Sequence, residues 1–229
     1  LIEDSELSDN TNMALGVAQG GTEVTLRRSS LTGSVAGSMG HAVLVYEGGT
    51  LTMEDCLVAD NDSVGVYLVD AGTTATLLRT TVRDTTPISD NSGDGIVVQE
   101  GATLIAEHSA ITSNARTGLF VTDAGSTAIL RDSTIRDTTG GYEEDSGQGI
   151  MAIHGATVLA ERCDLIANTS QAILADHEGT SITLRDTRVL DTLPGPEPEL
   201  AAGLKIQTGA SLTAEHCEIA GNANKGVMI

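Results

Sequence analysis

Residues 101–114 read GATLIAEHSAITSN, and close copies of this segment recur along the chain. Residues 155–168 read GATVLAERCDLIAN, and residues 209–222 read GASLTAEHCEIAGN. One glycine opens each copy, at Gly21, Gly48, Gly72, Gly101, Gly125, Gly155, Gly179 and Gly209. The intervals between the numbers of successive glycines are alternately long and short, because every second copy carries an insertion. A repeat of this length indicates a solenoid in which each unit forms one coil.

The aliphatic residues of each unit follow the two-residue period of a β-strand. In the copy at 101–114, Leu104, Ala106 and Ile111 occupy positions that are aliphatic in nearly every other copy. A third short apolar segment follows each turn, such as GLFV at residues 118–121. Three short strands fill each of the shorter units and leave no room for a crossover helix. The pattern therefore predicts a parallel β-solenoid whose coils stack about 4.8 Å apart.

These columns, together with the asparagine that closes units such as the one ending at Asn114, resemble the right-handed parallel β-helix repeat family, which has the pectate-lyase-like fold. Parallel connections are also overwhelmingly right-handed. The resemblance implies an all-β, single-stranded right-handed parallel β-helix of about nine coils, in which short coils of 24 residues alternate with long coils of 27–30. We expect one domain over residues 1–229, either as a slice of a longer repeat protein or with coil ends that pair end to end.

Three side chains that can bind a metal or act in catalysis stand together at Glu215, His216 and Cys217. The column of Cys217 holds small, weakly polar residues in every unit, including Cys56 and Cys163, and strand parity turns it inward. Cys163 and Cys217 are two coils apart, which exceeds the reach of a disulfide, so we predict three free thiols. The columns of Glu215 and His216 face outward and alternate acidic with basic residues, which predicts a charge ladder between coils.

The composition restricts the partners that the chain can bind. It has 12 basic and 32 acidic residues and a net charge of −20, which argues against nucleic acid and anionic membranes as partners. No run of 18 apolar residues is present, so we predict no insertion into a membrane. The aromatic residues are one Phe and three Tyr, which limits the stacking of sugar rings on the surface.

Functional residues of solenoids collect where insertions interrupt the repeat. The long coils insert loops at residues 35–40, 86–95, 139–149 and 193–203, which leave from one corner, and the last three of them carry acidic residues. Beside them the third strands present an outward strip that we interpret as a binding surface for a glycan or a protein partner. The strip consists of Tyr67, Val97, Phe120, Met151, Leu174 and Lys205. The alternative is that the loops fold over the strip and cover it.

The second loop contains DNSGDG at residues 90–95, which has the alternating spacing of the first half of a calcium loop. Its ligands would be Asp90, Ser92 and Asp94, so calcium is a candidate cofactor here, and elsewhere the sequence indicates no cofactor. The acidic residue that ends such a loop is missing, because Gly101 stands in its place. A flexible turn rich in Asp and Gly is the alternative.

The resemblance also implies an enzymatic alternative, because polysaccharide lyases, pectinesterases and polygalacturonases share this fold. Their signatures are missing from the chain, which has neither an aspartate pair with Gly-His-Gly nor an Arg-x-Pro-x-x-Arg run. One set of residues at the ends of three successive coils could still supply an acid, a base and a cation. The set is His154, Asp176, His177 and Lys205, and solvated turn residues are its alternative interpretation.

Regular threonines on the first strands, such as Thr50, Thr52, Thr74 and Thr76, suggest a more remote function. Arrays of Thr-x-Thr on a flat β-helix face resemble ice-binding proteins, but residues such as Ile105 break the array. Threonine is also simply a favourable strand residue.

The sequence therefore favours a non-catalytic β-helix scaffold of a secreted or cell-surface protein, located outside the cell or in the cell envelope. This scaffold would display a row of acidic loops for glycan or protein binding. The alternative is a carbohydrate-active enzyme, similar to a polysaccharide lyase or a glycoside hydrolase, with its site in the late coils.

Overall fold

The computed structural model describes residues 1–35, 37, 40–88, 92–140 and 146–229. These residues form strands and turns that build three parallel sheets of nine strands each. Each coil adds one strand to each sheet in turn, so every strand pairs with the strands three places before and after it. The predicted all-β parallel β-helix is confirmed.

The first sheet contains β1 (Ile2–Glu3), β4 (Glu23–Arg27), β7 (Thr50–Glu54), β10 (Thr74–Leu78), β13 (Thr103–Glu107), β16 (Thr127–Arg131), β19 (Thr157–Glu161), β22 (Ser181–Arg185) and β25 (Ser211–Glu215). The second contains β2 (Glu6–Ser8), β5 (Ser30–Thr32), β8 (Leu57–Ala59), β11 (Thr81–Arg83), β14 (Ala110–Thr112), β17 (Thr134–Arg136), β20 (Asp164–Ile166), β23 (Arg188–Leu190) and β26 (Glu218–Ala220). The third contains β3 (Met13–Ala18), β6 (His41–Tyr46), β9 (Val64–Leu68), β12 (Asp94–Val98), β15 (Thr117–Thr122), β18 (Gln148–Ile153), β21 (Gln171–Ala175), β24 (Ala202–Ile206) and β27 (Lys225–Met228). A 3-10 helix spans Pro198–Leu200 in the last long loop.

The pairing register confirms that short and long coils alternate. Thr103 pairs with Thr127 across the short coil that follows it, and with Thr74 across the long coil that precedes it. Equivalent repeat positions therefore lie side by side in the sheets, and the extra residues of the long coils fall between the second and third sheets. The loops consequently leave from one edge of the stack, beside the third sheet.

The core is an aliphatic column between the three sheets. Inward positions such as Leu104, Ile111 and Leu119 are buried, as the strand parity predicts. Each of them packs on its equivalents in the next coils, because coils stack about 4.8 Å apart. Burial of one such side chain contributes roughly 1.5–3 kcal/mol, so Leu, Ile, Val and Ala stabilise the stack without aromatic rings.

The first turn of each coil places a charged or imidazole side chain on a left-handed backbone. At these nine positions φ lies between 46° and 54°, and they are Asp4, Arg28, Asp55, Arg79, His108, Asp132, Arg162, Asp186 and His216. Ion pairs join neighbouring coils here, as where Arg162 Nε lies 2.7 Å from Asp132 Oδ1. In the adjacent column Arg131 contacts both Glu107 and Glu161. The charge ladder is confirmed, whereas the sequence pattern did not predict the left-handed turn beneath it.

A buried asparagine ladder closes the second turn. Asn168 is fully buried, and its Oδ1 accepts hydrogen bonds from both the backbone N and the Oγ1 of Thr138. The amide of Asn168 donates to the carbonyl of Ile135. The predicted bond from hydroxyl to amide is therefore present in this coil. Ser34 and Thr85, at the equivalent positions of earlier coils, bond to asparagine through backbone N–H groups, and their hydroxyls make no hydrogen bond among the described residues.

The cysteine column is inward and unbridged, as predicted. Cys56, Cys163 and Cys217 are free thiols, and the first two are buried. Hydroxyls at the same repeat position receive a backbone N–H from the preceding coil, as where Thr187 Oγ1 accepts from the Cys163 nitrogen. The Cys163 thiol itself lies 3.3 Å from the carbonyl oxygen of Glu161. Cysteine therefore acts as a small buried substitute for serine or threonine.

Cys163 is expected to resist alkylation in the folded chain. Burial raises the pKa of its thiol to about 11, so roughly one molecule in a thousand carries the reactive thiolate at pH 8. Iodoacetamide labelling followed by mass spectrometry of the Cys163 peptide should be at least about a hundredfold slower in buffer than in concentrated urea. Equal rates in the two conditions would contradict the buried position of this thiol.

Candidate functional site

The outer face of the third sheet forms a groove that runs along the stack of coils. Its floor is an outward column in which each residue pairs with its equivalent in the next coil. The column contains Tyr67, Val97, Phe120, Met151, Leu174 and Lys205, in this order. Val97 and Leu174 are buried, and the other four are partly exposed. We call this floor and the cavities above it the third-sheet groove.

Two adjoining cavities lie in the third-sheet groove, and Arg116 and Met151 line both. The larger, of about 470 Å³, lies over the early coils and is lined by residues such as His41, Tyr67 and Phe120. The smaller, of about 200 Å³, lies over the late coils. Its remaining lining residues are Thr117, Ser146, Gln148, Gln171, Leu174, Asp176, Lys205 and Gln207. An apolar floor between polar walls is the usual composition of a ligand site.

A buried ion pair stands between the two cavities. Arg116 Nε and Nη2 donate to the two carboxylate oxygens of Asp94 at 3.0 and 2.6 Å. The Asp94 side chain is 1% exposed and that of Arg116 is 11% exposed. The guanidinium carbon of Arg116 also lies 5.3 Å from the centre of the Phe120 ring. These contacts hold the arginine flat against the floor of the groove.

Amide and hydroxyl groups line the smaller cavity. Gln148 Nε2 donates to Gln171 Oε1 at 3.1 Å, and Gln171 Nε2 donates to the carbonyl of Leu200. Thr117 is fully buried, and its Oγ1 makes no hydrogen bond to any described residue. A buried hydroxyl without a partner is costly, so Thr117 supplies a group that a ligand can satisfy.

Lys205 is the one cation of the described residues whose charged group has no polar partner. Each of the ten arginines makes an ion pair with a carboxylate. The second lysine, Lys225, donates to the carbonyl oxygen of Glu199 at 2.9 Å. The ammonium of Lys205 therefore has three free donors at the lining of the smaller cavity.

The structure brings the four residues of the catalytic alternative to the late coils. The rings of His154 and His177 are tilted against each other with their centres 4.0 Å apart. Asp176 Oδ1 lies 3.6 Å from His177 Nδ1, and Asp176 and Lys205 line the same cavity. Burial pushes the pKa of Asp176 upward, but hydrogen bonds, the first from Gln207, outweigh it and hold the pKa below its usual value.

The third turn adds a row of charged residues along one edge of the groove. In four successive coils the left-handed residue of the turn after the third strand is acidic, and these residues are Glu47, Asp70, Glu100 and Asp123. The next two coils carry His154 and His177 instead. Burial raises the pKa of the Tyr67 hydroxyl, and the carboxylates of Glu100, Asp123, Asp70 and Asp94 raise it further. The early half of the groove therefore has a negative potential.

Two of the three predicted calcium ligands, Ser92 and Asp94, lie in the described part of the chain, and both already have protein partners. Asp90 lies outside the described residues. Ser92 Oγ accepts a hydrogen bond from the backbone N of Ile88, and the Asp94 carboxylate is held by Arg116. A cation at Asp94 would have to displace a guanidinium, and among the described residues no group of three or more His, Cys, Asp and Glu side chains could hold a metal. Calcium binding stays a prediction.

The threonine arrays lie on the outer face of the first sheet, away from the groove. Thr50 pairs with Thr74, and Thr52 pairs with Thr76, so each column is continuous over these coils. Ile105 continues the second column without a hydroxyl.

Most of the acidic residues of the loops at 86–95 and 139–149 lie outside the described residues.

Several groove residues were absent from the sequence-based prediction, namely Arg116, Thr117, Gln148, Gln171 and Gln207, and Asp94 was predicted only as a calcium ligand. All except Arg116 stand in or just after third strands whose other members are mostly apolar. Polar residues in these third strands, in particular Gln148 and Gln171 at the strand starts, are the sequence feature that could have identified the polar wall of the groove.

The repeat also matches known families and structures. A family model described as a right-handed β-helix region matches residues 1–135 and 86–229. No curated protein sequence matches the chain. Among the helices of the described residues, none combines the length and apolar character needed to cross a membrane.

Three solved structures are similar to the chain over most of its length. The periplasmic alginate epimerase AlgG is 12% identical with a TM-score of 0.63, over 94% of this chain and 49% of that one. The A-module of the Azotobacter vinelandii mannuronan C-5 epimerase AlgE4 is 12% identical with a TM-score of 0.56, over 98% and 78%. Pectate lyase Pel9A is 9% identical with a TM-score of 0.51, over 94% and 70%. At these identities the likeness shows the fold alone, and the chain spans about half the length of AlgG.

Proposed function

The chain belongs to the right-handed β-helix family, and on this premise we propose that it is a non-catalytic scaffold that binds a carbohydrate chain in the third-sheet groove. The observation that carries the proposal is the composition of the groove, in which an apolar floor lies between amide, hydroxyl and ammonium groups. Sugars have the same division, with apolar ring faces and polar edges. The groove follows the coil stack across at least six coils, so a linear polymer can lie along it.

The names of the similar structures support a polysaccharide as the class of ligand. They refer to alginate, mannuronan and pectate, which are linear polysaccharides. A protein that binds such a polymer meets it outside the cytoplasm, so we place this chain in the cell envelope or outside the cell. The acidic loops beside the groove, together with the rigid coils, would present the bound chain along one edge of the rod.

A second candidate function is an enzyme that acts on the same polymer. The specific observation in its favour is that Asp176 lies against His177, which stacks on His154, and that Asp176 lines one cavity with Lys205. Two imidazoles and a carboxylate could move a proton to and from a sugar ring positioned by the ammonium. The two functions share the groove and differ only in turnover.

Binding of carbohydrate is expected to depend on the groove floor. Met151→Glu introduces a charge that a bound sugar face would cover, and should weaken binding to linear polysaccharides at least about tenfold. Affinity electrophoresis over a panel of neutral and acidic polysaccharides measures this. The matched control is Leu159→Glu, because Leu159 is also a partly exposed, outward strand residue but lies on the first sheet.

The same panel separates the two candidates when reducing ends and unsaturated products are followed. Binding without turnover supports the scaffold. Turnover that is lost in Asp176→Asn while binding is retained would replace the scaffold by the enzyme. Failure of every polysaccharide to bind, or equal weakening by Met151→Glu and Leu159→Glu, would contradict carbohydrate binding in the groove.

A further inference from the structure

The distribution of charge in the third-sheet groove points to a particular class of carbohydrate, and this step rests on the proposed function. The chain carries 12 cations against 32 carboxylates. In the described residues every arginine is neutralised by a carboxylate, and Arg116, the arginine inside the groove, is bonded through both oxygens of Asp94. Lys205 is thus the sole groove cation of the described residues that can receive a new anion.

The surroundings of Lys205 form a small site around one anionic group. The fully buried Thr117 hydroxyl, which has no partner among the described residues, lines the same cavity of about 200 Å³ together with the amide groups of Gln148, Gln171 and Gln207. The Asp176 carboxylate lines it as well and accepts a hydrogen bond from Gln207 Nε2 at 2.9 Å. The ammonium of Lys205 and the hydroxyl of Thr117 are the donors from which a ligand carboxylate can accept. Gln171 Nε2 already donates to Ser170 Oγ and the Leu200 carbonyl, and Gln207 Nε2 donates to Asp176.

The early half of the groove has the opposite character. Glu47, Asp70, Glu100 and Asp123 stand along its edge in successive coils, about 4.8 Å apart. Each lies one or two residues beyond the end of a third strand, and Glu100 directly follows Gln99, which lines the cavity together with Tyr67 and Phe120. This row of carboxylates repels any ligand carboxylates that lie within the Debye length of about 8–10 Å from it.

We infer that the groove selects a carbohydrate chain in which one acidic residue is isolated among neutral residues, with the carboxylate at Lys205 and the neutral residues over the floor at Tyr67, Val97 and Phe120. A neutral chain would leave Lys205 and Thr117 without partners. A chain with a carboxylate on every residue would place its charges along the acidic row. A chain with one isolated acid pairs its carboxylate with Lys205 and places no negative charge beside the acidic row.

A matched series of ligands tests this selectivity. A hexasaccharide with a carboxylate on every residue can be reduced chemically to a neutral form and to a fraction that keeps one carboxylate, without changing the sugar backbone. Titration calorimetry at low ionic strength should rank the single acid above both others by at least about tenfold in affinity. Added salt should narrow the difference between the single acid and the fully charged chain.

Two variants assign the effect to the named residues. Lys205→Gln should remove the preference for the single acid over the neutral hexasaccharide, because it weakens binding of the single acid at least about tenfold more than binding of the neutral chain. Glu100→Gln combined with Asp123→Asn should raise the affinity for the fully charged chain several-fold and leave the neutral chain unaffected. Asn keeps the oxygen of Asp123 that accepts the Glu100 N–H.

The outcomes separate this inference from the proposed function. If the neutral or the fully charged hexasaccharide binds as tightly as the single acid, the selectivity is wrong while carbohydrate binding stands. If Lys205→Gln weakens all three ligands equally, the lysine does not read the carboxylate and the inference fails. If no member of the series and no polysaccharide binds, the proposed function itself is wrong.

Discussion

Asp94→Ala is expected to lower the free energy of unfolding by about 3–5 kcal/mol, because it leaves the Arg116 guanidinium without a counterion in a largely buried position. The Asp94 side chain is 1% exposed and Arg116 is 11% exposed, so water can replace little of the lost interaction. Urea unfolding followed by circular dichroism measures the change. The effect reaches the groove as well, since Arg116 would lose the contact that holds it over Phe120.

The control for Asp94 is an exposed ion pair of the same kind. Arg162 and Asp132 join neighbouring coils with side chains that are 53% and 33% exposed. Arg162→Gln should therefore cost at most about 1 kcal/mol. A loss below about 1 kcal/mol for Asp94→Ala, or equal losses for the two variants, would show that burial does not distinguish these pairs.

Asn168→Ala is expected to destabilise the fold by about 2–5 kcal/mol. The substitution removes the side-chain partner of two buried groups, the backbone N–H of Thr138 and the carbonyl of Ile135. The removed amide also leaves a cavity that neighbouring coils cannot fill without moving. Urea unfolding of the variant measures the loss. Its steepness should stay unchanged, since the same surface is exposed on unfolding.

Asn222→Ala is the matched control within the same ladder. Asn222 makes the equivalent bonds to Thr192 and Val189, but it is only partly buried. Water can reach the groups that this substitution leaves unpaired, so its cost should be clearly smaller. A larger loss for Asn222→Ala than for Asn168→Ala would contradict the argument from burial.

The architecture could be predicted from the sequence because each structural position recurs in nine coils, so the residue type that it requires is visible nine times. Column membership predicted that Ile111 is buried, that Cys163 is an inward thiol and that Arg131 meets carboxylates in both adjacent coils. The alternation of coil lengths also follows directly from the spacing of the opening glycines. None of these inferences needed knowledge of how the coil is closed.

The groove was predictable only in part, because its walls depend on turns and loops that differ between coils. The floor from Tyr67 to Lys205 follows from strand parity. Arg116 comes from a turn, and its position over Phe120 depends on Asp94 in the preceding coil, so no column contains the pair. The left-handed residues of the first turn were not predicted, because aspartate and arginine, unlike glycine, do not indicate a positive φ.

The alternating charges on the outer edge of the first sheet constrain how such a chain can grow by gene duplication. Glu107, Arg131, Glu161, Arg185 and Glu215 follow one another up the stack, and each arginine contacts the acid on either side. Duplication or loss of one coil would bring two like charges together, whereas a pair of coils restores the order. The coding sequence should therefore lengthen or shorten in steps of two coils, and the rod would change in increments of about 9.6 Å.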